Sequence, residues 1–218
     1  YIYGSDRMME EWISKPEYHD LDIKTSIKAG DVVPNILNES ADLIVLGSKG
    51  KSGIEKVLFG SVTRNLILRS DAPLLIIPAK STYTGLKHIT FTTDYHEGDL
   101  ATLQQTAELA DFFKSGITVL HVAAAENLQT TIRYKGFREI VREQINYASI
   151  DFRLLIESDF YTGITSFLEN EKTDLIVMTR YKKPFFGNLL ERDHTQQMGF
   201  FTEVPLLILP GEIPPEAE

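Results

Sequence analysis

The sequence predicts an α/β protein of two tandem units, each a parallel five-stranded sheet flanked by helices, with the first unit incomplete at its N-terminus. Three observations predict it. Apolar runs of strand length alternate with stretches of helical periodicity, the pattern of a parallel sheet covered on both faces. The chain repeats itself: residues 42–78 align with 174–210 at a constant offset of 132, with 12 of 37 positions identical. A run of glycines also lies between an apolar strand and a helical pattern, Gly47-Ser-Lys-Gly50-Lys-Ser-Gly53 and then Gly60-Ser61.

In the first unit, Ser5 is expected to cap a short helix running through Trp12. A strand over 21–27, a helix over 32–39 and a strand over 42–46 follow, then the glycine loop, a helix over 61–69 and a strand over 73–78. Residues 80–87, with Ser81, Thr82 and Gly85, form a short linker. The second unit opens with a strand over 88–94. Leu100, Leu103, Ala107 and Ala110 then recur at helical spacing, and Gly116 is placed where that helix would end. Strands over 117–122, 150–156, 175–178 and 206–209 alternate with helices marked by Phe137, Ile140, Val141 and Ile145, by Ile164, Phe167 and Leu168, and by residues 189–200. The domain division read from this pattern is 1–80 for the later part of a first domain, 86–210 for a complete second domain, and 211–218 for a solvated tail. The opening strand, helix and second strand of the second unit have no counterpart in the first. That segment is expected to exist in the native gene product or to be replaced by contacts from another chain. The last strands, Leu74–Ile77 and Leu206–Leu209, are apolar edges. Open edges invite pairing, so the units are expected to join there as an internal pseudo-dimer, with a homodimer also possible.

Composition limits the function. The chain has 218 residues, 43% of them hydrophobic and 24% charged, with no cysteine. Thiol catalysis, disulfides and zinc-thiolate sites are excluded. A net charge of −9 argues against general nucleic-acid binding, which needs a basic surface. No apolar stretch approaches the roughly 18 residues of a membrane span, so no membrane partner is expected, and a cytoplasmic location fits. The five histidines are scattered and no catalytic constellation is evident. Neither an enzyme nor a metal site is therefore expected. His121 lies in an apolar strand and reads as a satisfied core or strand-end residue.

The glycine loop is the candidate site. Glycines at 47, 50 and 53 let a backbone turn and approach a ligand without Cβ clashes. Ser61 and Thr63 open a helix, where free N–H groups and the dipole favour an anion. Between residues 47 and 69 there are five basic residues (Lys49, Lys51, Lys56, Arg64, Arg69) against Glu55 alone. The alternative is that the glycines only close a strand-to-helix turn and the basic residues solvate it. A P-loop is excluded, because Gly50-Lys51-Ser52 has Val45 where the first glycine is required.

The spacing Gly-x2-Gly-x9-Gly-Ser resembles the nucleotide-binding motif of the universal stress protein family. The flanks agree: 41–48 looks like that family's fourth strand, 72–78 like its fifth, and 89–94, ending in Asp94, like its first. The resemblance implies a stress-response or signalling protein. It would bind an adenine nucleotide (ATP, with ADP and AMP also fitting) through Gly47, Ser48, Lys49, Gly50, Gly60, Ser61 and Thr63. A nucleotide-independent dimerisation scaffold of the same fold is the alternative. The family holds adenine and ribose near the end of the first strand and just past the second. In the second unit Asp94 and Val122 match those positions, but Thr179, Lys182, Arg192 and Asp193 replace Gly47, Gly50, Gly60 and Ser61. Tyr181-Lys-Lys-Pro-Phe-Phe186 offers a basic-aromatic surface for a partner, but Phe185 and Phe186 are rather expected to fill the space this leaves, and binding is expected in the first unit only.

Overall fold

The computed structural model describes residues 2–48, 59–181 and 203–211. By its internal contacts the chain divides into two compact units, residues 1–39 and 40–218.

The first unit holds helix α1 (Ile2–Ile13), a 3-10 turn (Pro16–Tyr18) and helix α2 (Val32–Leu37). α1 starts ahead of Ser5, so Ser5 lies inside the helix and does not cap it. Trp12 stacks on Tyr18 with ring centroids 4.8 Å apart, which folds the 3-10 turn back on α1. The strand expected over 21–27 does not form: residues 22–29 carry neither helix nor strand. Alternating apolar residues make a strand only where a neighbour completes the hydrogen-bond ladder, and Leu21 and Ile27 stay exposed. Gly30, at φ +98°, turns the chain into α2, and Asn35 Nδ2 donates to the Ala29 carbonyl at 3.0 Å.

The second unit is built on one continuous seven-stranded sheet. Its strands are β1 (Ile44–Gly47), β2 (Leu74–Ile77), β3 (His88–Thr92), β4 (Gly116–Ala123), β5 (Ile150–Ile156), β6 (Leu175–Arg180) and β7 (Leu206–Pro210). They lie in the order β1-β2-β7-β6-β3-β4-β5. β1 pairs parallel with β2, and β7, β6, β3, β4 and β5 are mutually parallel. Between the two groups β2 and β7 pair antiparallel, Leu75 opposite Leu207. The two apolar last strands thus cover each other's edges, as their sequences predict.

Helices α3 (Ser61–Arg69), α4 (Asp99–Phe113), α5 (Leu128–Gln144) and α6 (Phe160–Asn170) flank the sheet. Ile89, Phe91, Ile117, Val119 and Val177 on one face form a single core with Leu103, Ala107 and Ala110 of α4 and Phe137 and Val141 of α5. α6 packs against β4, and α3 against β2. Capping is explicit at two helices. Asn127 Oδ1 accepts from Thr130 N at 2.9 Å, and Asp159 Oδ1 accepts from Tyr161 N and Thr162 N at 2.9 and 3.0 Å. α4 stops earlier than its glycine suggests: Lys114 takes the left-handed turn at φ +56°, and Gly116 opens β4 instead. The helix expected over 189–200 lies outside the described residues.

Candidate functional site

The described ends of the glycine loop are clamped together. β1 delivers Gly47 and Ser48 at its C-terminal end, and Gly60 leads into α3. Ser48 is buried; its N–H donates to the Ile77 carbonyl at 2.9 Å, and its carbonyl accepts from Gly60 N at 3.0 Å. Thr63 Oγ1 donates to the Gly47 carbonyl at 3.3 Å, and Phe59 is buried beside the join. The strand end and the helix start are therefore tied directly to each other by hydrogen bonds. Gly60 has φ −60° and ψ 161°, an extended geometry that any residue adopts, so dihedral freedom does not require glycine there.

This geometry divides the predicted residues by role. Ser48 N–H, Gly60 N–H and the Thr63 hydroxyl proton are used within the protein. The first intrahelical bond of α3 runs from Arg64 N to the Gly60 carbonyl at 3.0 Å. The N–H groups of Ser61, Val62 and Thr63 precede it and have no intrahelical acceptor. Ser61 is exposed, so the helix end faces solvent. Lys49, Gly50, Lys51, Gly53 and Lys56 lie outside the described residues, as do Lys182, Phe185, Phe186, Arg192 and Asp193.

The corresponding crevice of the second half is filled. In a doubly wound sheet the ligand crevice opens at the C-terminal ends of strands whose connections leave in opposite directions. Here those are β3 and β6. Asp99, at the first turn of α4, sits in that crevice and is only 2% exposed. Its Oδ2 accepts from Thr93 Oγ1 at 2.7 Å, His96 N at 3.1 Å and Asp94 N at 3.3 Å, and its Oδ1 accepts the Tyr181 hydroxyl. His96 stacks on the Tyr181 ring at 4.1 Å, and the Thr102 and Thr179 hydroxyls meet at 2.6 Å. Gly211 is where the chain passes this ring: a Cβ there would lie 2.6 Å from Tyr181. Burial, and then the Asp99 acceptor, push the Tyr181 phenol well above its usual range.

Asp94 and Val122 are placed at the ends of β3 and β4; Val122 is half-buried, while the Asp94 side chain is exposed. Tyr95, in the left-handed region at φ +56°, lays its ring on His121 at 4.1 Å, and the Arg133 guanidinium lies over the same ring, 5.6 Å from its centroid, while donating to the Asp94 carbonyl. His121 Nδ1 donates to the Thr93 carbonyl at 2.7 Å, so this histidine is the satisfied strand residue expected. α6 closes on Val122 through Gly163, where a Cβ would lie 2.5 Å from Val122 Cγ1. Sequence reasoning missed Asp99 and Tyr181. The available signal for Asp99 was a carboxylate five residues after the strand-terminal Asp94.

Among the described residues no group of three His, Asp or Glu is placed to hold a metal, and no helix is long and apolar enough to cross a membrane. Comparison with known proteins agrees with the motif. Residues 19–78 match the model of the universal stress protein family. A universal stress protein of Methanocaldococcus jannaschii is 35% identical over 71 residues, 33% of this chain and 40% of that protein. Over these residues the chain is similar to the universal stress protein family. The stress response protein NhaX of Bacillus subtilis is 38% identical over 58 residues, 27% of this chain and 35% of that protein. The chain thus spans two fifths or less of the length of these curated relatives. Among solved structures, a universal stress protein from Archaeoglobus fulgidus superposes with a TM-score of 0.70 at 17% identity, over 96% of this chain and 77% of that one. A protein of Pseudomonas aeruginosa described under the same family name gives 0.67 at 12% identity, over 94% and 78%. At such identities these likenesses carry the fold.

Proposed function

We propose that this protein is a member of the universal stress protein family, a cytoplasmic stress-response or signalling protein that binds an adenine nucleotide at the loop joining β1 to α3 and performs no catalysis. The observation that carries the reading is the clamp of Gly60 N on the Ser48 carbonyl with Thr63 on the Gly47 carbonyl. It holds the N–H groups of Ser61, Val62 and Thr63, which have no acceptor within the helix, beside the strand end. In this reading Ser61 and its neighbours donate to phosphate, and the helix dipole adds to their attraction. Gly47, Ser48, Gly60 and Thr63 shape the seat, while Lys49 and Gly50 supply charge and close backbone approach. ATP is the preferred ligand, with ADP and AMP sharing its contacts. The filled crevice around Asp99 supports a single site in the tandem repeat, since a buried carboxylate repels phosphate.

Titration calorimetry with ATP, ADP and AMP on the full chain tests this. Saturable binding is expected, lost on Gly60→Leu or Ser61→Glu and kept within about twofold on Lys182→Ala. No binding by any of the three rejects the reading. One observation favours a second reading: the antiparallel β2–β7 join suits an internal pseudo-dimer whose role is to present surfaces to partners without nucleotide. Loss of ATP binding with retained partner capture would favour it.

A further inference from the structure

Three consecutive residues at the end of β6 reach in opposite directions, as successive side chains of a strand do. Thr179 and Tyr181 enter the crevice of the second half, on Thr102 and Asp99. Arg180, between them, reaches the other way, to α3 of the first half. Its backbone is fixed in the sheet: it lies opposite Pro210 in the β6–β7 ladder, and its carbonyl accepts Gly211 N at 2.8 Å. The side chain is buried. Burying a cation is costly unless acceptors match its N–H groups, so what Arg180 touches matters.

Its two terminal nitrogens donate to the carbonyls of Leu68 and Ser70. Leu68 lies in the last turn of α3 and Ser70 is its cap residue. A helix supplies no donors of its own to those carbonyls. Ser70 is itself well ordered. Its N–H donates to the Leu66 carbonyl at 2.8 Å, and its hydroxyl donates to the Ala72 carbonyl at 3.0 Å while accepting Ala72 N at 3.1 Å. Arg180 therefore grips a closed helix end, not a frayed one. The opposite end of α3 is tied to β1 by the Gly60 and Thr63 bonds. The helix has nine residues and so is about 13 Å long. A short rod held at one end can still swing, whereas one held at both ends keeps a single direction. The first-turn N–H groups point along that axis, and a hydrogen bond weakens steeply as it is misaligned.

We propose that Arg180 is a positioning residue for the candidate anion seat: through it the second repeat sets the direction in which α3 presents the N–H groups of Ser61, Val62 and Thr63. This rests on the nucleotide reading above. It gives the second repeat a part in the first repeat's site without a ligand of its own.

Calorimetric titration of ATP into the full chain and three variants is the test. Arg180→Met removes both donors and should weaken ATP binding about fivefold to tenfold, and Arg180→Lys, which keeps the charge and can reach one carbonyl, about twofold to fivefold. Gly163→Ala strains a helix of the second half away from α3 and serves as the control for lost stability. It should bind ATP like the parent, because a variant that stays folded keeps its full population of competent molecules. Circular dichroism at the working temperature confirms folding. If Arg180→Met does not fold, Arg180→Lys carries the test, and unchanged affinity there overturns the proposal. A parent that binds ATP while Arg180→Met binds it equally well overturns this proposal alone. Equal weakening by Gly163→Ala also overturns it, since the effect would then be general loosening. A parent that binds no ATP, ADP or AMP rejects the nucleotide reading, and this proposal with it.

Discussion

Asp99 shows how a single buried acid decides what a crevice can hold. Its two oxygens accept two hydroxyls and two backbone N–H groups, so its lone pairs are used inside the protein. Tyr181 is held as the other half of that arrangement. Burial is the leading cause that raises the Tyr181 and Tyr95 phenols, and it raises Tyr161 to about 12. A phenol with a raised folded value favours the folded state's neutral form. Its contribution is fully present below the ordinary value of about 10 and is lost as pH climbs from there towards the folded value. Spectrophotometric titration should therefore show three of the nine tyrosines ionising late. Tyr181→Phe should remove one late step without adding an early one. Nine tyrosines titrating together near their ordinary value would contradict this burial.

At the scale of elements, caps and close approaches set where helices sit. Asp159 holds α6 at its first turn, where the Thr162 N–H chiefly lowers the carboxyl's proton affinity. Gly163 then lets the next part of α6 approach β4 where any side chain would meet Val122. Gly163→Ala should cost about 1–3 kcal/mol, because the added methyl must displace a β-branched neighbour. Pairing it with Val122→Ala should recover part of that loss. Urea denaturation of the two single variants and the double variant measures the coupling. Additive losses would mean that the helix shifts as a body instead of pressing on Val122.

Across the whole sheet, the β2–β7 join has a second fastening. Arg180, at the end of β6, is only 5% exposed and donates to the Leu68 and Ser70 carbonyls at the C-terminal end of α3. A cation on free helix-end carbonyls is favourable. Burial lowers the guanidinium's proton affinity, with Asp71 acting in the opposite direction. One side chain of the second repeat thus caps a helix of the first. Arg180→Met keeps the apolar stem and leaves two carbonyls short of donors, so a loss of about 1.5–3 kcal/mol is expected by chemical denaturation. A neutral outcome would mean water replaces the guanidinium.

The sequence by itself determined the α/β class, the succession along the chain of the described strands from β1 to β7 and the repeat that relates its halves. Periodicity and self-similarity are local properties that survive without coordinates. It also placed the glycine loop between a strand and a helix, since Leu43–Leu46 and Ser61–Arg69 declare themselves by pattern. Only the tertiary structure showed that Ser48 N–H, Gly60 N–H and the Thr63 hydroxyl bond within the protein. Ser48, Gly60 and Thr63 look like ligands in sequence, yet they bond to backbone atoms that folding brings beside them. It likewise decided that 21–27 is no strand, because a ladder needs a neighbour that no alternation supplies. The plug of Asp99 and Tyr181 joins residues 82 positions apart. Hydrogen bonds at such separation follow from how the strands are ordered in the sheet, and that order is fixed by packing, not by neighbours in sequence.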